Sequence, residues 1–315
     1  MRTPHILLAV LVTAVWGVNF VVIDVGLGHF PPLLFTALRF LVAAVPAVFL
    51  VRRPAVARRW IVGVGLALGV GKFGVLFLGM AAGMAAGLAS LVIQSQAVFT
   101  ALIAAVALGE RPGRRRVLGM GVALAGITVA AVEEGASGPV TGFALVILSA
   151  VFWGVSNVLT RKAAPDDALS FMVWASLVPV LPLTALSLVF EGPGEGWEAL
   201  RGLDWSGVGA VVFVAWAATL FGFGVWSWLL RRYHASRVAP FALLVPVFGM
   251  SSAALLLDEA VTPASLTAAA LLVGGVALTS AGGAPRGTTV ARGPAEAARP
   301  VPAGGAAVTP PRTPR

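Results

Sequence analysis

Val15-Trp16-Gly17-Val18 lies inside an unbroken apolar stretch over residues 5–27, and Phe152-Trp153-Gly154-Val155 repeats the pattern inside a second stretch over 140–160. About 20 apolar residues in a row is what an α-helix needs to cross a hydrocarbon layer about 30 Å thick. Eight further stretches have the same character: 32–51, 60–80, 86–108, 117–132, 170–190, 207–230, 237–257 and 264–283. The whole chain of 315 residues is 58% hydrophobic and only 11% charged. A soluble domain is about 25% charged, so this composition excludes a soluble globule, and its apolar excess excludes disorder over most of the length. The apolar runs are continuous rather than alternating, which excludes a transmembrane barrel. Arg2 ahead of the first run resembles the start of a secretion signal, but the run continues to Gly26, too long for a cleavable signal. The expected fold class is therefore all-α integral membrane, with ten transmembrane helices.

The two Trp-Gly motifs are 137 residues apart, and a second match occurs at an offset of 149. There Val122-Ala123-Leu124-Ala125-Gly126 faces Leu271-Leu272-Val273-Gly274-Gly275, and Glu110 faces Glu259. The chain thus reads as two five-helix repeats, 1–133 and 140–283, with a Gly-, Pro- and Arg-containing tail over 284–315 expected to be disordered and cytoplasmic. Five is odd, so the second repeat is expected to be inverted relative to the first. The charges agree. With the N-terminus in the cytoplasm, nineteen of the 22 basic residues fall on the cytoplasmic side, Arg201 alone falls outside, and Arg39 and Lys72 lie within spans. Basic residues are retained on the cytoplasmic side of membranes, so both termini are expected there. The loop after the second span carries Arg52, Arg53, Arg58 and Arg59, whereas its counterpart after the seventh carries Glu191, Glu195, Glu198 and Asp204. Inverted repeats are an architecture of secondary transporters, with the substrate near the midplane at the repeat interface.

Polar residues within the spans are the candidate site. Trp16 lies about 16 Å into the first span and Trp153 about 20 Å into the sixth, at 1.5 Å per residue. Each either lines a cavity, where the ring can close over a substrate, or nests in a packed core against the adjoining glycine. Asn19, Gln94, Gln96, Ser156 and Asn157 need partners or water at such depth. They serve either a cavity or helix–helix hydrogen bonds. Ser90 and Gln94 share a helix face while Gln96 points away, so Gln94 is the expected cavity residue. Arg39 is about seven residues into the second span. It marks a pathway, pairs with Asp24, or snorkels to the outer interface. Lys72 sits among Gly69, Gly71 and Gly74 near the bilayer centre. Its side chain, reaching about 6 Å, cannot regain the interface. No acid lies at comparable depth, so a substrate carboxylate is its expected partner. Prolines 46, 179, 182, 240 and 246 interrupt spans as hinges or static kinks. Glu110 and Glu259 read as N-terminal signals for the helices next in the chain.

Several stretches in order resemble the drug/metabolite transporter superfamily, and within it the ten-span EamA-type family. They are Val15–Ile23, Pro31-Pro32-Leu33 leading to Ala37-Leu38-Arg39-Phe40, Gly87–Val92 with Gln94 and Gln96, Arg237–Val247, and Ser252–Glu259. The resemblance extends over about 5–283 and is fair for the family's bacterial inner-membrane exporters of cysteine and O-acetylserine. It implies a multi-pass protein of that membrane exporting small amino-acid-like metabolites. Lys72 stands outside the family pattern. An exporter of another substrate class is the alternative, and a channel a further one.

The candidate substrate-binding residues are therefore Trp16, Asn19, Arg39, Lys72, Ser90, Gln94, Trp153, Ser156 and Asn157. No catalytic constellation, metal spacing, nucleotide motif or cysteine is present in the sequence, so neither an enzyme nor a cofactor is expected. The expected partners are a small-molecule substrate and membrane lipids. The net charge of +9 reports topology rather than nucleic acid, and no protein partner is indicated. Transport either runs downhill on accumulated substrate, or Lys72 itself carries a proton. A fluorescent or phosphatase reporter fused after Arg315 should report cytoplasm, and one within 191–206 should report the exterior. The reverse pattern would contradict the ten-span arrangement.

Overall fold

Apolar residues in lipid must satisfy their backbone polar groups within one segment, which leaves the α-helix as the only local solution. A computed structural model describes residues 1–137 and 140–281, and these are helical with no strand. Ten apolar helices run along the described residues: α1 (Thr3–Leu27), α2 (Pro32–Val48), α3 (Arg58–Ala81), α4 (Ala86–Leu108), α5 (Arg114–Ser137), α6 (Val140–Ala163), α7 (Ala168–Phe190), α8 (Trp205–Arg232), α9 (Ala239–Leu256) and α10 (Pro263–Ala281). Eight are long and apolar enough to cross a membrane, and the apolar stretches Pro32–Val48 in α2 and Pro263–Thr279 in α10 are shorter. The 17 residues of α2 rise about 25 Å, near the lower limit for a span. A surface helix, Pro193–Arg201, joins α7 to α8. The tail expected over 284–315 lies outside the described residues.

Helices α1–α5 and α6–α10 interleave. Helix α1 packs on α8 and α9, while α6 packs on α3 and α4. Glycine makes these approaches possible. A Cβ on Gly17 would stand 2.7 Å from the backbone nitrogen of Gly249, beside Phe248, and one on Gly154 would stand 2.9 Å from that of Thr100, beside Phe99. Phe99 and Phe248 are 149 residues apart, the same offset as between Glu110 and Glu259. Helices α5 and α10 meet the same way, through Gly119, Gly126 and Gly275. Because lipid tails are as apolar as the side chains, such close packing of small residues replaces the hydrophobic effect as the driving force.

The third and fourth helices of each five are irregular in matching ways. Leu66–Gly74 of α3 and Phe213–Phe221 of α8 are π-helical, and Ile93–Ser95 of α4 and Ala239–Leu244 of α9 are 3₁₀. Prolines break α7 between Leu177 and Val180 and start the 3₁₀ turn of α9. The π segments are not foreseen from the prolines. In α3 the segment accompanies its glycines: Gly69 meets Pro179, and Gly71 meets Phe152.

The acidic residues at helix ends act across the fold rather than only on the next helix. The Glu259 carboxylate accepts from the backbone N–H of Ala86 at 2.7 Å and of Gly87 at 2.9 Å, capping α4. Glu191 caps α2 through Leu33 N at 2.6 Å and Leu34 N at 3.2 Å. Glu259 is thus not a signal for α10, its sequence neighbour, because the orphan amides nearest its carboxylate belong to α4. Glu110 pairs with Arg161 at the end of α6 and with Arg116 of α5 at 3.5 Å. The Arg161 hydrogen bond holds its carboxyl below the usual carboxylate range.

Gly17→Ala should lower the thermal midpoint of the purified protein, since overpacking costs about 1–3 kcal/mol. Gly121→Ala, where an added Cβ meets nothing within 4 Å, should leave it equal or raised. Equal behaviour of the two variants in thermal denaturation would contradict the close α1–α9 approach.

Candidate functional site

A cavity of about 460 Å³ lies among α1, α2, α3, α4, α6, α7, α8 and α9. Among the described residues its wall includes two cations, Arg39 and Lys72, and no carboxylate. Both are buried, at 2% and 7% exposure. They share the ring of Phe73: the Arg39 guanidinium carbon is 3.8 Å from its centroid and the Lys72 Nζ 3.2 Å. Lys72 also stands 4.5 Å from the centroid of Trp153. Among the described residues neither forms an ion pair. Ring quadrupoles thus stand in for the missing counter-charge.

The π segments explain how these side chains are held. Arg39 donates through Nε at 3.2 Å and Nη2 at 3.1 Å to the Thr219 hydroxyl, which in turn donates to Val214 O at 2.8 Å, five residues back. Nη1 of Arg39 has no protein acceptor. Asp24 is therefore not its partner, nor does Arg39 snorkel; the oxygen it meets belongs to α8, 180 residues away. On the other side, Ser149 of α6 donates to Lys72 O at 2.6 Å, and Trp16 of α1 donates through Nε1 to Ala218 O at 2.9 Å. Each widened turn thus presents a carbonyl that a side chain from the other five-helix group takes up. The Trp16 ring is pinned by this bond and by Gly222 beside it, rather than free to swing.

Of the nine residues singled out from sequence, Trp16, Asn19, Arg39, Lys72, Gln94, Trp153, Ser156 and Asn157 line the cavity. Ser90 does not. Its hydroxyl donates to Gly87 O at 2.6 Å within α4, and it packs against Gly249 of α9. Gln96 also reaches the wall, contrary to the expectation that it points away, because the 3₁₀ turn at 93–95 rotates the helix face presented by the residues after it. Its Oε1 accepts from Asn157 Nδ2 at 2.8 Å. Thr219, Phe73, Phe223 and Trp226 were not anticipated. A hydroxyl in the apolar run of α8 was the one available signal for Thr219, and the aromatic residue next to Lys72 the one for Phe73.

The sequence profile of the EamA-like transporter family matches the chain twice, over residues 3–132 and 140–281. The chain belongs to the EamA-like transporter family. As a member of that family it is a multi-pass membrane transporter. It is 42% identical over 276 residues to a Salmonella typhimurium protein named "probable amino-acid metabolite efflux pump", covering 85% of this chain and 92% of that one. The Escherichia coli protein of the same name is 39% identical over the same shares. A Streptantibioticus cattleyicolor protein named "probable terminal-alkyne amino-acid exporter" is 28% identical, over 85% of this chain and 91% of that one. A solved crystal structure aligns with a TM-score of 0.58 at 23% identity, over 88% of this chain and 96% of the other, which shows a shared fold.

Proposed function

We propose that this EamA-like transporter exports amino-acid-like metabolites of the cysteine and O-acetylserine type by alternating access, from a bacterial cytoplasm across the inner membrane, with both termini cytoplasmic. The observation that carries the reading is a cavity holding two buried cations and no carboxylate. A lone charge at the bilayer centre costs at least about 2.5–3.5 kcal/mol on insertion scales. Two such charges persist where water or a carboxylate-bearing substrate neutralises them. The relatives' names, amino-acid metabolite efflux pump and amino-acid exporter, agree with that substrate class.

The repeats 1–133 and 140–283, inverted relative to one another, supply the two oppositely open states of such a carrier. With the basic loops in the cytoplasm, the wall residues Leu68, Thr160, Leu230 and Ala239 lie on the cytoplasmic halves of their helices. Toward the exterior, Phe30, Phe35 and Phe77 form a buried stack with centroids 5.5 and 5.1 Å apart. This arrangement is that of a carrier loaded from inside and closed outside. Lys72, whose Nζ faces the Phe73 and Trp153 rings and forms no ion pair among the described residues, is the carboxylate anchor, and Arg39 supports it through its free Nη1. Gln94, Ser156 and Asn157 complete the polar wall.

Labelled cysteine should show counterflow in liposomes containing the protein, since only a carrier exchanges substrate through alternating states. Lys72→Gln should insert at least as well as the parent. It should weaken apparent affinity for cysteine about tenfold or more, as expected when a hydrogen bond to a charge worth about 1.5–3 kcal/mol is lost. Lys72→Arg should recover part of that affinity. Unchanged affinity and unchanged pH dependence in Lys72→Gln would remove the lysine from both substrate binding and proton transfer.

A further inference from the structure

Asn19 is 6% exposed and on the cavity wall, yet its Oδ1 is shielded and has no partner. Its amide makes no hydrogen bond among the described residues, and a half-turn exchanges the shielded oxygen for the unshielded nitrogen, so the oxygen can be presented to the cavity. A buried amide left this way is destabilising unless something else supplies the bond. One turn earlier on α1, Trp16 commits its only donor to Ala218 O, which leaves its ring face. Phe223 and Trp226 of α8 pack beside that ring, with centroids 5.4 and 5.2 Å away, and all three line the cavity.

The other aromatic rings close to the two cations are already engaged. Phe73 faces both Arg39 and Lys72, and Trp153 faces Lys72. A cationic group on a ligand is repelled there. Among the described residues the Trp16, Phe223 and Trp226 rings carry no protein cation, and the Asn19 amide stands one helical turn from Trp16 on the same cavity wall. Aromatic faces with a carbonyl oxygen beside them suit a desolvated ammonium.

We propose that Asn19, Trp16 and Trp226 form a subsite for the primary ammonium group of the substrate, which makes the transported species a zwitterion held by both charges rather than a simple carboxylate. The proposal rests on the export reading above and adds what selects among carboxylates. Binding of the ammonium forms no covalent bond and moves no proton.

The test uses two isomers. O-acetyl-L-serine and N-acetyl-L-serine have the same formula and the same carboxylate, and only the first keeps an ammonium. Each competes against counterflow of labelled cysteine in liposomes containing the full chain, in mildly acidic buffer where the acetyl shift between them is slow. The parent should prefer the O-acetyl isomer by about tenfold or more, which corresponds to about 1.4 kcal/mol. Asn19→Leu removes an unpaired amide in similar volume and should fold at least as well. It should weaken binding of cysteine itself and reduce the preference to less than about threefold, while the inhibition constant of N-acetylserine, corrected for the changed cysteine affinity, stays the same. Trp226→Leu should act in the same direction and Trp226→Phe should retain the preference, because a phenyl face still attracts a cation. Equal inhibition by the two isomers in the parent, or an unchanged preference in Asn19→Leu, overturns the subsite and leaves the export reading standing. Absence of counterflow, together with binding of neither isomer to the purified protein, overturns both.

Discussion

Two positive charges without a negative one, placed in the middle of a membrane protein, constrain everything around them. Arg39 and Lys72 meet at the ring of Phe73. Each must be kept from lipid, and a buried unpaired ion is among the costliest things a fold can contain. The chain meets the constraint by surrounding them with helices, giving Arg39 a hydroxyl acceptor at Thr219, giving Lys72 ring faces, and leaving a cavity large enough for water or substrate. In the proposed export cycle the cost is recovered when a carboxylate enters, so the feature that least favours the empty protein would most favour binding.

The π segments in α3 and α8 are how helices carry such a site without breaking. A widened turn redirects one side chain and frees one carbonyl. In α3 the turn holds Lys72 itself, whose carbonyl takes the Ser149 hydroxyl; in α8 it holds Thr219, and the carbonyl before it takes the Trp16 indole. The same device therefore appears once in each five-helix group, and in each case the partner comes from the first helix of the other group. Gly17 and Gly154, on those same first helices, set the distance at which the groups meet. Cavity geometry and the interlocking of the two five-helix groups are consequently one structural problem, solved twice.

The spans were legible in sequence because lipid demands long apolar runs, and helix ends fall within a few residues of those expected, as at 86–108 and Ala86–Leu108. The intramembrane polar residues were legible for a related reason: each is expensive, so each stands out. What was not legible is what stands among residues of its own kind. Phe223 and Trp226 are aromatic residues in an apolar helix, and nothing local distinguishes a cavity wall from a lipid face. Pairing over long separations was also hidden. Asp24 is close to Arg39 in sequence, but Thr219, 180 residues away, is close in space. Ser90 misled because a hydroxyl can satisfy itself on its own helix, which needs no cavity.

A carrier of the proposed kind has one cavity that is reached alternately from the two sides of the membrane. The chain contains no cysteine, so a single engineered thiol reports its own position without a background. Ser156 lies on the cavity wall at 3% exposure, and a thiol there is isosteric. In right-side-out and inverted membrane vesicles, Ser156→Cys treated with a membrane-impermeant methanethiosulfonate should react from both sides, and O-acetylserine should slow both reactions. Reaction from the cytoplasmic side alone, however long the exposure, would contradict alternating access.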